Sequence, residues 1–259
     1  MRENGYSEEF IQMTGECSKR QLYDYKAVFE SDMAVTEDGI MPMIDLGQDW
    51  EGFTGKLTVS HISYKDNVSE KQLSFNWAWN KEMPVFQDAA SIYWGDSFTA
   101  LPDTAWLQFC SDGIRTEYKT THPSITVPKN LVSASFYVYR GLEAITNYNP
   151  NIGIAARFRI SDEKTIRMNY ASGSYGVYKF DIGNYTGTYS IIIVKANSNP
   201  DYNGYNSAVA NYFHWTTETS YDFSFNFSLP PSVDINVDPN IKQYYQKSTD
   251  KPVAFRYKN

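Results

Sequence analysis

Cysteine is nearly absent from this sequence. Cys17 and Cys110 are the two present, too few for a disulfide framework. Long apolar runs are missing too: the stretch around Ile191–Val194 falls far short of the roughly 18 residues a membrane helix needs, so no membrane span is expected. Basic charge is in deficit, with 23 Lys and Arg against 30 Asp and Glu for a net charge of −7, which argues against a nucleic-acid backbone as partner. Gly-rich phosphate loops are missing. His61, His122 and His214 stand far apart, in no zinc-binding spacing, and His214 reads as a structural residue within a strand. No basic stretch followed by an apolar one opens the chain, so no secretory signal is read and the sequons at Asn67, Asn184 and Asn226 are taken as chance matches.

Aromatic residues are what the sequence has in abundance. They make up 16% of its 259 residues, with 21 Tyr, 15 Phe and 6 Trp. These types suit a pleated, half-buried surface, and Tyr also suits interfaces because it joins a large apolar face to a polar tip. With 42% hydrophobic and 20% charged residues, a sizeable core is expected rather than disorder.

Near the N-terminus Ser18-Lys19-Arg20-Gln21 fits a capping box and predicts a helix over 19–30, with a further helical turn at Ser7–Met13. From residue 40 the hydrophobic period becomes two. Leu73, Phe75, Trp77 and Trp79 alternate with polar residues; so do Val132, Ala134, Phe136 and Val138, and Phe223, Phe225, Phe227 and Leu229. That alternation predicts antiparallel strands with one wet face. Leu57 and Val59 change phase to Ile62 and Tyr64, which predicts a β-bulge near Ser60-His61. Strands at 154–160, 165–170, 175–182 and 188–195, separated by turn-like Ser161–Lys164, Ala171–Ser174 and Gly183–Gly187, predict a four-stranded meander. Ile191–Val194 is apolar on both faces and predicts a central, covered strand.

The fold class expected is all-β: an antiparallel, jelly-roll-like β-sandwich over 40–238, with a short N-terminal helix in a segment 1–39 and an extended C-terminal arm over 239–259. A split into two small sandwiches near 123–129 is the alternative.

No catalytic motif emerges, and no enzyme activity or cofactor is expected. Ser172-Gly173-Ser174 lacks the first glycine and the strand-to-helix context of a nucleophile elbow. Glu51, Asp96, Asp103 and Glu143 are candidate carboxylates for glycoside hydrolysis, a chemistry that depends on their spatial separation. Asp201, Asn203 and Asn206 place oxygens at alternate positions as calcium sites do, but the run reads better as an Asn/Gly turn. Trp77 and Trp79 share the phase of the core, whereas Trp50 and Trp94 beside turns, with Tyr202 and Tyr205 in a long polar loop, are candidates for glycan or partner binding.

Charge is uneven along the chain. Residues 1–60 hold 5 basic and 12 acidic side chains, and residues 239–259 hold 5 basic and 1 acidic. The basic tail carries Tyr244, Tyr245, Phe255 and Tyr257, expected to contact another chain or a distant part of the same one. The functional expectation is a non-enzymatic structural or interaction protein of a virus or phage particle, made in a host cytoplasm and contacting other copies or subunits. A glycan-binding module is the alternative, a carbohydrate-active enzyme a third, and a secreted protein the alternative location.

Overall fold

A computed structural model describes residues 1–14, 16–40, 53–62, 70–79, 87–95, 97–120, 132–159, 163–169, 173–196, 205–215, 223–228, 232–237, 244–249 and 252–256. Two short helices, α1 (Glu8–Met13) and α2 (Glu16–Asp24), precede the strands. The strands are β1 (Val28–Ile40), β2 (Phe53–Ile62), β3 (Glu70–Trp79), β4 (Gln87–Trp94), β5 (Phe98–Thr120), β6 (Val132–Arg140), β7 (Asn147–Asn149), β8 (Gly153–Arg159), β9 (Glu163–Asn169), β10 (Tyr175–Lys195), β11 (Tyr205–Trp215), β12 (Phe223–Ser228), β13 (Ser232–Val237), β14 (Tyr244–Thr249) and β15 (Val253–Arg256). The all-β, sandwich-like architecture expected from the alternation is present.

Eleven strands run in the order β6-β5-β10-β3-β2-β1-β14-β11-β4-β8-β7, with β9 beside β10 and β15 beside β11; β12 and β13 pair separately. All described pairings are antiparallel. The fold turns on β1. Its first half pairs with β2, from Val28 opposite His61 to Ala34 opposite Lys56, and its second half pairs with β14. One strand thus belongs to both layers, and the two layers bury their apolar faces against each other. Trp77 of β3 stacks on Phe158 of β8 with centroids 5.5 Å apart, and meets Tyr212 of β11 at 5.4 Å. Phe75, Trp77, Ile154, Phe158, Tyr189 and Tyr212 all belong to this core.

The outer face of the β10-β3-β2 layer is covered as well. Tyr6, Phe10 and Leu22 of the N-terminal segment pack with Ile62 and Ile192 in a second cluster. Hence Ile191 and Ile193 lie in the main core and Ile192 under the helices, so β10 is central and covered on both faces, as its apolar run predicts.

Several local expectations are revised. The helix expected over 19–30 runs from Glu16 to Asp24, and Val28 already starts β1. Its end is a Schellman turn, in which the Ala27 amide donates to the Leu22 carbonyl (2.8 Å) and the Lys26 amide to Tyr23 (3.0 Å), with Lys26 at φ 49°. A lysine in the usual glycine place hides that stop from the sequence. Ser18 lies inside the helix rather than at its cap. The helical turn expected at Ser7–Met13 is present, with Ser7 Oγ accepting from the Phe10 amide at 3.1 Å.

The bulge expected in β2 lies across from it. Register is continuous between β2 and β3, whereas β1 takes an extra residue between Phe29 and Ser31, opposite Ser60 and Val59. Ile62 breaks the phase because it packs under the helices, not because the strand is bulged. The expected meander is also different. β8 lies in the opposite layer from β9 and β10, and Gly183–Gly187 is no turn but part of the single strand β10. Between Ile182 and Asn184, which pair with Gly113 and Asp112, Gly183 is the extra residue of a bulge. Residues 239–259, placed outside the sandwich by the sequence, supply β14 between β1 and β11, and β15 beside β11.

The wet face expected for β3 is buried too. Ser74 and Asn76 are inaccessible to solvent beneath the N-terminal layer, and Asn76 Oδ1 accepts from Thr188 Oγ1 at 2.7 Å. The side chains of Phe136, Phe225 and Phe227 lie outside the described residues, as do those of Cys17 and Cys110.

Candidate functional site

The sequence-predicted binding residues separate in space. Trp94 ends β4, where the chain turns through Gly95 and Ser97 into β5. Its indole is fully buried and donates from Nε1 to the Phe98 carbonyl at 3.2 Å, so it offers no face to a ligand. Nearby, Asn206 Oδ1 accepts from the amides of Gly95 (3.0 Å) and Ser207 (2.6 Å), while its Nδ2 donates to the Gly95 carbonyl at 3.4 Å. That candidate calcium ligand ties β11 to the β4–β5 turn. Asp201, Asn203, Trp50 and Tyr202 lie outside the described residues, and Tyr205 is placed only by its backbone at the start of β11, opposite Arg256.

Within the tail, Phe255 is buried against Phe98 of its own chain, with centroids 5.3 Å apart. Tyr244 and Tyr245 pair through their backbones with Trp215 and His214, and their side chains lie outside the described residues, as does Tyr257. Of the candidate carboxylates, Asp103 and Glu143 are exposed, while Glu51 and Asp96 lie outside the described residues. Among the described residues no cluster of three His, Cys, Asp or Glu could hold a metal ion.

A buried polar constellation lies where the sequence suggested only a structural histidine. Asp88 of β4 sits opposite His214 of β11. Its Oδ1 is 2.7 Å from His214 Nδ1, and its other oxygen accepts the Tyr212 hydroxyl. All three are almost fully buried beside Trp79 and Phe53. Burial and the adjacent Asp88 carboxylate push the Tyr212 hydroxyl well above its usual range. The trio clamps two strands and pairs a buried carboxylate that would otherwise be costly.

What stands open is one flank of the sandwich. Five of the seven large apolar side chains exposed among the described residues fall between 137 and 148: Tyr137, Val138, Tyr139, Leu142 and Tyr148. They follow β5 in order. Tyr137 pairs with Phe109 and Tyr139 with Leu107, and the 3₁₀ turn Gly141–Ala144, which carries Leu142, sets Gly141 against the Asp103 backbone. Farther on, the Tyr148 hydroxyl reaches the Ala100 carbonyl at 3.4 Å. Phe109 belongs to the core, so Tyr137 and Tyr139, stacked on it at 4.7 and 6.2 Å, lie on the inner face at the sandwich rim. Val138, opposite Gln108, lies on the outer face. The sequence reading had this phase reversed, because Val138 is the more apolar residue while the tyrosines have a core aromatic to stack on.

No protein-family model matches the chain, and no curated protein is similar to it. Among solved structures, Clostridium perfringens delta-toxin aligns over 86% of this chain and 87% of its own, at 8% identity and a TM-score of 0.29. That likeness is too slight to carry an argument. No described helix is long and apolar enough to cross a membrane.

Proposed function

We propose that this chain is a non-enzymatic interaction protein, a subunit of an assembled particle such as a virion or phage component, and that the β6–β7 flank is its contact surface. The observation that carries the reading is the run of exposed Tyr, Val and Leu side chains from 137 to 148. Large apolar side chains left exposed together along one flank mark interaction sites, and Tyr is enriched where they occur. Elsewhere most of the described aromatics are covered, with Trp77, Trp94, Tyr212 and Phe255 all buried and Tyr23 of α2 exposed.

The test is sedimentation of the full chain beside a Tyr139→Ser/Leu142→Ser variant. The reading expects concentration-dependent assembly that weakens in the variant while circular dichroism stays unchanged. Equal assembly by both proteins would count against it.

A glycan-binding reading draws on a separate observation. The rings of Tyr137 and Tyr139 are each backed by Phe109 and partly open to solvent, a platform suited to the apolar face of a sugar. Binding on a glycan array that disappears in Tyr137→Ala/Tyr139→Ala would favour this reading over assembly.

A further inference from the structure

We propose that two copies of this chain pair antiparallel along β6, about a two-fold axis at Val138. This rests on the flank reading and names the partner. β6 ends the sheet path, with β5 on one side and no described strand on the other. An edge strand leaves a row of backbone N–H and C=O groups pointing outward, and another extended backbone satisfies such a row at the ladder spacing.

Other described edges of the large sheet are blunted. β9 carries Glu163, Lys164 and Arg167, β7 is three residues long and β15 four. Charge and shortness are the usual guards against edge pairing. From Val132 to Tyr139 β6 has neither guard. Its one charged residue, Arg140, is drawn over the Trp106 ring at 4.4 Å. Tyr137, Val138 and Tyr139 are each 38% exposed.

Self-complementarity selects a second copy as the occupant. About an axis at Val138, that residue meets its own mate, and Tyr137 of each copy meets Tyr139 of the other. Aromatic and β-branched cross-strand pairs stabilise antiparallel ladders. Arg140 comes opposite Phe136 of the other copy, and the two arginines stay about 13 Å apart along the strands. No like charges are brought face to face, and the same surface serves both partners, as a closed two-fold interface requires.

Sedimentation equilibrium on the full chain, Val138→Lys, Val138→Glu and their equimolar mixture tests this. Val138 is on the exposed outer face, so both variants should keep the native circular dichroism. The wild type should be a reversible dimer, each variant alone at least about tenfold weaker, and the mixture restored by opposite charges meeting at the axis. A monomeric wild type, variants that dimerise as well as the wild type, or a mixture no tighter than its components would overturn the proposal. If Tyr139→Ser/Leu142→Ser abolishes assembly while the charge variants do not, the flank reading stands and strand pairing falls. Assembly insensitive to both sets removes the flank reading too.

Discussion

The indole of Trp77 fills the space that a side chain at Gly187 would need. The two residues are directly opposed in β3 and β10, and a Cβ at 187 would fall on the six-membered ring, far closer than real Cβ atoms approach. On the other side of Trp77 the opposed residue is again a glycine, Gly55. The largest side chain in the core is thus accommodated between two residues without one. Gly187→Ala should destabilise the protein by about 1–3 kcal/mol, the range for overpacked cores. Urea unfolding would show it, and Trp77→Phe should recover part of the loss in the double variant. A midpoint unchanged by Gly187→Ala would mean the ring can move aside.

Gln21 binds the helical layer to the sheet. Its amide donates to the Thr104 carbonyl at 3.2 Å, and its Oε1 accepts from Gln72 Nε2 at 2.9 Å, all in buried surroundings. Gln21→Leu should cost about 1–3 kcal/mol, because buried polar groups lose their partner. Hydrogen exchange should show the loss concentrated in α2 and the facing strands, rather than in β8.

Alkaline pH should loosen the same layer. Burial pushes the Tyr6 hydroxyl from its usual 10.0 up to about 12, with the Ser60 hydroxyl opposing. The folded state therefore holds its proton more tightly than the unfolded state. Its contribution is intact below about pH 10 and is lost as pH climbs toward 12, amounting to about 3 kcal/mol. Denaturation midpoints measured across that window should fall for the wild type and fall less for Tyr6→Phe.

Lys26 should respond in the opposite sense. At φ 49° it adopts a left-handed conformation that glycine takes freely. Lys26→Gly should raise stability by about 1 kcal/mol, read as a higher melting temperature with an unchanged spectrum. A lower one would show that the lysine side chain contributes more than its backbone costs.

Strand phase was legible where one face is clearly apolar. Phe75, Trp77, Trp79, Phe158 and Ile192 are buried as their spacing predicts. What local periodicity cannot carry is the presence of a further layer. Ser74 and Asn76 read as a wet face because they are polar, yet both are fully buried on the face of the sheet that the N-terminal segment packs against. Gly183 and Gly187 read as a turn, because the opposing Trp77 that demands a glycine is 110 residues away in the sequence. Trp94 looked available for the same reason: the turn beside it is visible in the sequence, and the core it enters is not. The sequence showed β6 as a strand with no charge before Arg140, but which of its faces turns inward and its place at the edge of the sheet are properties of topology.

Hydrogen exchange along β6, compared between dilute and concentrated full-length protein, tests the central claim most directly. The amides between Tyr137 and Arg140 that face away from β5 should exchange markedly more slowly in concentrated protein, while those of β9, an edge guarded by charge, keep the same rate. Equal exchange along β6 at both concentrations, under conditions where the sandwich core remains protected, would contradict the account.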